Sequence, residues 1–478
     1  VKHRNWKIEK FLLQKYAYQP SFYCHKAMSI ILIILSTFLL IINLGAPSMV
    51  STASSFVLVI EHLLLILCSW LLIKHCLKDE YSKYRTKYFN CFLLGYSISL
   101  LFLYLYWTPE LVSTWATDFS AFDPVKYYAI AQTTVESSPD PALAYFPVSW
   151  IYVAIFKVLG IDPLVPLFVN VFAALYATII LAKFVNEDKA KHFGYFAYLL
   201  LVPEIVCFNM MSAKDTICMI CVTIIFVNSQ EFLKRKFTIN KVIITAIAFI
   251  ALALARTSMS LAALFGILIF SFNFKKLNFK KILLLVFGIL IFVIAFNFTQ
   301  DLGSATNADD ISERATEQIS GDMENSAELN GQSSNSFARK LVPHNTVEAI
   351  VFGFIRSLCY VVIDPRFIKS PISIFIFNQD NKWSPLIDFT TLLMTICDFF
   401  IFFMVRKWKY RTENYRRLFI ITAFYMLVVG IFNPLMIHIR YRVIYDLLFF
   451  ALGLKSWLLY RDNKVNKMAR VTKKYESR

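Results

Sequence analysis

The feature that most constrains this chain is a succession of apolar runs, each long enough to cross a bilayer, separated by short basic clusters. A spanning helix needs about 20 apolar residues. Such runs lie near 27–46, 55–73, 89–107, 163–182, 193–211, 216–233, 240–255, 257–272, 281–298, 385–405, 416–434 and 441–460. The composition agrees. Hydrophobic types make up 58% and charged types 17%, where a soluble domain carries about a quarter charged residues. The expected fold class is all-α: a polytopic membrane helix bundle of about 12 transmembrane helices, with juxtamembrane helices on its outward side.

The placement of Lys and Arg sets the expected sidedness, because short cytoplasmic loops carry the basic excess. Basic clusters fall at Lys2–Lys26, Lys74–Lys87, Lys183–Lys191, Lys234–Lys241, Lys275–Lys281, Arg406–Arg417 and Arg461–Lys474. Twelve spans put all seven on one side, with both termini cytoplasmic in a cytoplasmic (inner) membrane. The net charge of +17 is therefore a loop signal and not a nucleic-acid signature. The leader before the first run is too long for the n-region of a cleavable signal. The nine cysteines give no disulfide or metal framework; Cys218 and Cys221 form a CxxC inside an apolar run, where packing explains them. Low Gly and abundant Phe, Ile and Lys fit an AT-rich bacterial genome.

The chain divides accordingly. Residues 1–26 are a basic leader, 27–107 three spans, 108–162 an outward acidic loop, 163–298 a six-span core, 299–384 a large outward loop, 385–460 three spans and 461–478 a basic tail. Residues 144–160 are apolar but short and carry Lys157; they are expected to lie in the outer interface as a helix. Residues 346–363 and 371–377 are expected to be interfacial or re-entrant.

The candidate reactive residues fall mainly on the outward side. Asp118 and Asp123 lie in DFSAFDPVKYYAIAQ. Asp123-Pro124 opens a helix well, which is one complete explanation of it. The other is that a carboxylate at the membrane edge, one turn before Lys126, Tyr127 and Tyr128, accepts a proton from an attacking hydroxyl or holds a divalent cation. Lys214 and Asp215 occupy an outward turn, where they either reach water or face a ligand. Arg256 is isolated in a long apolar stretch and needs an anionic partner. His438, Arg440 and Arg442 put positive charge on the outward side, against the general bias, and suit a membrane-anchored phosphate; Asp446 is the alternative partner of Arg442. Glu61, His62 and Glu204 are intramembrane polar residues and weaker candidates.

The order of these features resembles the GT-C superfamily of polyprenyl-phosphate-dependent glycosyltransferases, most closely the branch of protein mannosyltransferases and lipid A aminoarabinose transferases. The resemblance covers roughly 90–272 and 434–452 and rests on DPVKYY, on AYFPVSWIYVAIFKVLG and on the later outward acid and base. It implies that Asp123 is the catalytic base, that Asp215 is the second-loop acid and that Arg256 is the lone basic residue. It further implies a polyprenyl-phosphate-linked sugar donor and a glycan or lipid-linked acceptor. Lys126, Tyr128, Lys214, Arg256, His438, Arg440 and Arg442 would bind substrate or lipid phosphate, with Asp118 and Glu204 as secondary positions. The chain departs from the family in having two extra spans before the acidic loop and in separating Asp118 from Asp123. A metal ion on Asp123 and Asp215 is left open by that departure. Two other functions fit the same outline. A repeat-unit polymerase of the O-antigen or capsule type would rely on Arg314, Arg339 and His344. A flippase or transporter of lipid-linked glycan would need a repeat that the sequence does not display.

Overall fold

The computed structural model describes residues 26–45, 54–106, 123–137, 147–186, 190–209, 214–233, 238–255, 351 and 443–476. The chain forms two compact units, residues 1–213 and 214–478, each described by itself. Every described element is a helix. Among the described residues four stretches are long and apolar enough to cross a membrane: Lys26–Leu44, Ser55–Cys76, Asp79–Leu105 and Leu164–Val185. They match the first four expected spans. The expected spans 257–272, 281–298, 385–405 and 416–434 lie outside the described residues.

In the first unit the helices are α1 (Lys26–Leu44), α2 (Ser55–Cys76), α3 (Arg85–Tyr106), α4 (Asp123–Glu136), α5 (Ser149–Leu159), α6 (Leu164–Val185) and α7 (Pro203–Asn209), with 3₁₀ segments over Asp79–Tyr84 and Ala190–Leu201. Ser54 caps α2, its hydroxyl accepting the Val57 N–H at 3.3 Å, and Lys74 and His75 sit in the last turn where the helix dipole favours positive charge. The α1 and α2 surfaces are inside-out relative to a soluble bundle. Ile30, Ile34, Phe38 and Ile41 of α1 and Phe56, Leu63, Leu67 and Leu71 of α2 are exposed, while Ser36, Asn43, His62 and Ser69 are buried. Lipid replaces the aqueous phase outside, and Asn43 and His62 find partners on neighbouring helices.

Those partners fix the helix directions. Ser29 donates to Asn90, and Asn43 donates to the Leu100 carbonyl at 3.1 Å, so α1 and α3 run parallel. Tyr88 donates to the Phe193 carbonyl at 3.3 Å and Ser99 to the Val206 carbonyl at 2.7 Å, so the 3₁₀ segment and α7 follow α3. Asn170, near the start of α6, donates to the carbonyl of Asn209 at the end of α7, so α6 runs the opposite way. Asp162 and Glu61 influence each other electrostatically near the starts of α6 and α2, and Lys183 and Cys76 do so near their ends. Lys26, Lys74, Lys78, Lys87 and Lys183 consequently gather at one end of this unit, and Asp162 lies at the other.

The fifth expected span, 193–211, differs from expectation. It is two short helices meeting before Pro203, not one long one. Proline has no N–H to continue a ladder and restricts the residue before it. The sequence here is written in triplets, Phe193-Gly194-Tyr195, Phe196-Ala197-Tyr198 and Leu199-Leu200-Leu201. A 3₁₀ helix has three residues per turn, and the more exposed column is Tyr195, Tyr198 and Leu201. At about 2.0 Å per residue the 3₁₀ part rises roughly 24 Å. Phe193 packs among Tyr81, Tyr84 and Tyr88 with centroids 4.5, 5.8 and 5.2 Å away. The Lys87 ammonium stands 5.2 and 4.3 Å from the Tyr195 and Tyr198 rings.

The second unit contains α8 (Lys214–Leu233), α9 (Ile239–Ala255) and α10 (Val443–Glu476). α8 and α9 form an antiparallel hairpin tied by an Asn228–Thr245 hydrogen bond of 2.9 Å and a Lys241–Glu231 ion pair. α10 also packs on α8. This single continuous helix takes in residues 443–460 of the expected twelfth span and 461–476 of the basic tail. Cys218 and Cys221 are buried in α8.

Candidate functional site

The described residues assemble a polar centre at the end of the first unit where α6 begins. Four elements build it. α4 opens at Asp123-Pro124, and the fixed φ of Pro suits a first turn. It then buries Tyr127, Tyr128, Ile130 and Ala131 on one face. α5 follows and packs against α4 and α6. The Tyr128 ring meets Phe156 of α5 edge-on at 5.2 Å. Gly160 ends α5 at φ 91°, a backbone conformation that suits glycine, and its N–H closes on the Phe156 carbonyl at 2.9 Å.

Two residues later the chain reaches Asp162, which is fully buried. Its Oδ1 accepts the Leu164 N–H at 2.7 Å, satisfying one of the orphan donors at the start of α6. The rest of its charge acts on its neighbours. Burial first, then the Asp162 carboxylate and then that of Glu136, hold the Tyr128 hydroxyl well above the ordinary tyrosine range. Asp162 also acts on Glu61 of α2. Next to Glu61, His62 is buried and bonded on both ring nitrogens: Nδ1 to the Tyr96 hydroxyl at 2.8 Å and Nε2 to Thr37 at 3.2 Å.

The expected site residues fall as follows. Asp123 is the first residue of α4, Lys126 is half-buried one turn on, and Tyr128 is 1% exposed. Glu204 is the second residue of α7. Lys214 and Asp215 form the first turn of α8 in the second unit, with Asp215 buried. Asp118, Arg256, His438, Arg440 and Arg442 lie outside the described residues, as do Arg314, Arg339 and His344. Asp162 carries no sequence signal beyond an Asp-Pro step that repeats Asp123-Pro124. Glu61 and His62 stand out as polar residues in an apolar run, but their partners sit on α1, α3 and the start of α6, and spacing along α2 gives no access to those. Among the described residues no three His, Cys, Asp or Glu side chains stand together as a metal-binding group.

Four apolar helices of spanning length, with polar side chains turned inward, define the class: a membrane protein, helical throughout its described residues. Comparisons with protein-family models, with curated proteins and with solved structures return no match.

Proposed function

We propose that this chain is a glycosyltransferase of the cytoplasmic membrane, moving a sugar from a polyprenyl-phosphate-linked donor to a glycan or lipid-linked acceptor. The observation that supports this reading is the pair of short helices between the third and fourth spanning stretches, α4 packed on α5, with α4 opening at Asp123. A carboxylate at the start of a short helix between two spanning stretches suits a base that must meet both a membrane-anchored donor and a hydroxyl acceptor.

In this reading Asp123 takes the proton of the acceptor hydroxyl as its oxygen bonds to the anomeric carbon. The bond from that carbon to the phosphate oxygen breaks, with inversion, and polyprenyl phosphate leaves. Lys214, Arg256, His438, Arg440 and Arg442 are the groups to balance the leaving phosphate's charge, and Asp215 orients the acceptor. Lys126 is the nearest cation in sequence to Asp123. Tyr128 supports the site by holding α4 on α5.

The test is transfer by purified protein in lipid nanodiscs with a lipid-linked sugar as donor. Asp123→Asn should lower turnover by about 10²–10⁴-fold, the usual contribution of a positioned base, with thermal unfolding unchanged. Full turnover in that variant rejects the mechanism. Loss of glycan elongation on replacing Arg314 or Arg339, with Asp123 dispensable, supports a repeat-unit polymerase instead.

A further inference from the structure

α3 and the 3₁₀ segment beside it carry an uncovered strip whose chemistry changes along its length. On α3, Lys87, Leu94, Ile98 and Leu101 share one face, because steps of seven, eleven and fourteen residues bring a helix back to nearly the same direction. None of the four is buried. On the 3₁₀ segment Tyr195, Tyr198 and Leu201 stand one above the other at three residues per turn, and none of these is buried either. Tyr198 is 50% and Leu101 40% exposed. The two elements run the same way. Both rows therefore begin polar at the lysine-rich end of the unit and become wholly apolar away from it.

The rows join at Lys87, whose ammonium stands over the Tyr195 and Tyr198 rings. Its stem passes Gly194, where an added Cβ would lie 3.7 Å from the Lys87 Cδ and 2.8 Å from the Tyr84 ring. Among the described residues no carboxylate pairs with Lys87. Ring faces attract a cation, but they are no substitute for the charged acceptor that an ammonium's three N–H groups take up. From Lys87 to Ile98 the strip covers about 16 Å, half of a hydrocarbon core of about 30 Å and so the depth of one leaflet. Cation, phenols and then apolar surface is the order in which a phospholipid presents its phosphate, glycerol and acyl chains. A free phosphate would use only the first of these. Lys and Tyr are also side chains that settle at headgroup level, and basic pockets between spanning helices take anionic headgroups.

We infer that this strip is a binding site for one anionic phospholipid. The Tyr198 ring centroid lies 4.3 Å from the Lys87 ammonium, so one phosphate can accept from both that ammonium and the Tyr198 hydroxyl. The exposed Lys83, four residues before Lys87, adds positive charge. The acyl chains lie along Leu94, Ile98 and Leu201. The site is at the opposite end of the unit from Asp162 and is separate from the polar centre there. It holds whatever reaction the protein performs, so its failure and the failure of the glycosyltransferase reading are separate results.

The experiment titrates the full chain in detergent with phosphatidylglycerol or phosphatidylcholine and follows the first bound lipid by native mass spectrometry. Phosphatidylglycerol should bind the more tightly. Lys87→Gln should weaken its binding by about tenfold, the worth of one hydrogen bond to a charged group. Lys74→Gln, which removes an exposed charge from the same end, should leave it unchanged. Equal affinity for the two lipids overturns the inference, as does unchanged binding in Lys87→Gln. So does an equal loss in the two variants, which would mean a diffuse positive field and no site. Glycerol 3-phosphate should not displace the lipid; displacement would assign the strip to a free phosphate and overturn the inference. Should Lys87→Gln fail to fold, Tyr198→Phe decides. It keeps the ring under the ammonium and removes the hydroxyl, so phosphatidylglycerol affinity should fall by about threefold or more. An unchanged affinity there overturns the inference.

Discussion

The Tyr96 hydroxyl lies 2.8 Å from Nδ1 of His62, deep between α1, α2 and α3. The protons in this chain can be assigned by elimination. Thr37 has one hydroxyl proton and donates it to the Ile33 carbonyl at 2.9 Å. It must therefore accept from Nε2, which carries the imidazole proton. Nδ1 is left as the acceptor of the Tyr96 O–H. A neutral imidazole thus satisfies every bond and ties three helices together.

Removing the donor tests this assignment. Tyr96→Phe keeps the ring and leaves Nδ1 without its hydrogen bond, so unfolding in lipid bicelles should cost about 0.6–1.7 kcal/mol less, the range for hydrogen bonds between membrane helices. Nitrogen NMR of the wild type should show a neutral ring protonated at Nε2. A ring protonated at Nδ1 would contradict the assignment.

Gly95 makes a second, steric prediction. A Cβ there would stand 2.8 Å from the Leu200 carbonyl oxygen, a backbone atom that cannot swing aside. Gly95→Ala should force α3 from the 3₁₀ segment and destabilise by about 1–3 kcal/mol. Gly45 is the internal control, because its added Cβ would meet nothing nearer than 3.6 Å. Gly45→Ala should stay within about 0.5 kcal/mol of wild type. Both are read from the same equilibrium unfolding curves.

These contacts show where legibility in the sequence stops. The apolar run length that predicts a helix over 163–182 works because one physical requirement, covering the hydrocarbon core, dominates there. The same criterion treats 193–211 as equivalent, since hydropathy is blind to whether a turn holds three residues or 3.6. The triplet Phe193 to Leu201 and Pro203 carried that information. Asp123 was visible because Asp-Pro begins a polar stretch. Asp162 carries the same Asp-Pro signal, but its burial depends on α2, α4 and α5 converging on it, which no local pattern records. Tyr128 packs on Phe156 because α5 folds back over α4, a contact that its place beside Lys126 does not record.

Tyr128 yields a pH prediction. Its folded-state pKa is raised, by burial foremost and then by Asp162 and Glu136. The folded protein therefore holds this proton more tightly than the unfolded chain does. The associated stability is complete below the unfolded tyrosine value of about 10 and is lost as pH climbs from there toward the folded value. Unfolding of the wild type in nanodiscs, followed from pH 8 to pH 11, should show a steeper alkaline loss than that of Tyr128→Phe. Parallel curves would contradict the burial of this hydroxyl.

The two Asp-Pro steps provide the sharpest separation of structure from chemistry. In Asp162 the carboxylate oxygen accepts the Leu164 N–H at 2.7 Å. Asn offers a carbonyl oxygen in the same position, so Asp162→Asn retains the cap and removes the negative charge. Asp162→Ala removes both and should cost about 0.5–2 kcal/mol, as the loss of a helix cap does. In neither variant does a general base disappear under the proposed mechanism, so turnover by the folded fraction should stay within about tenfold of wild type, far from the 10²–10⁴-fold loss expected of Asp123→Asn. The deciding quantity is turnover per folded molecule, with stability recorded alongside. A large loss in Asp162→Asn with no loss in Asp123→Asn would move the reacting carboxylate to the buried centre beside Glu61.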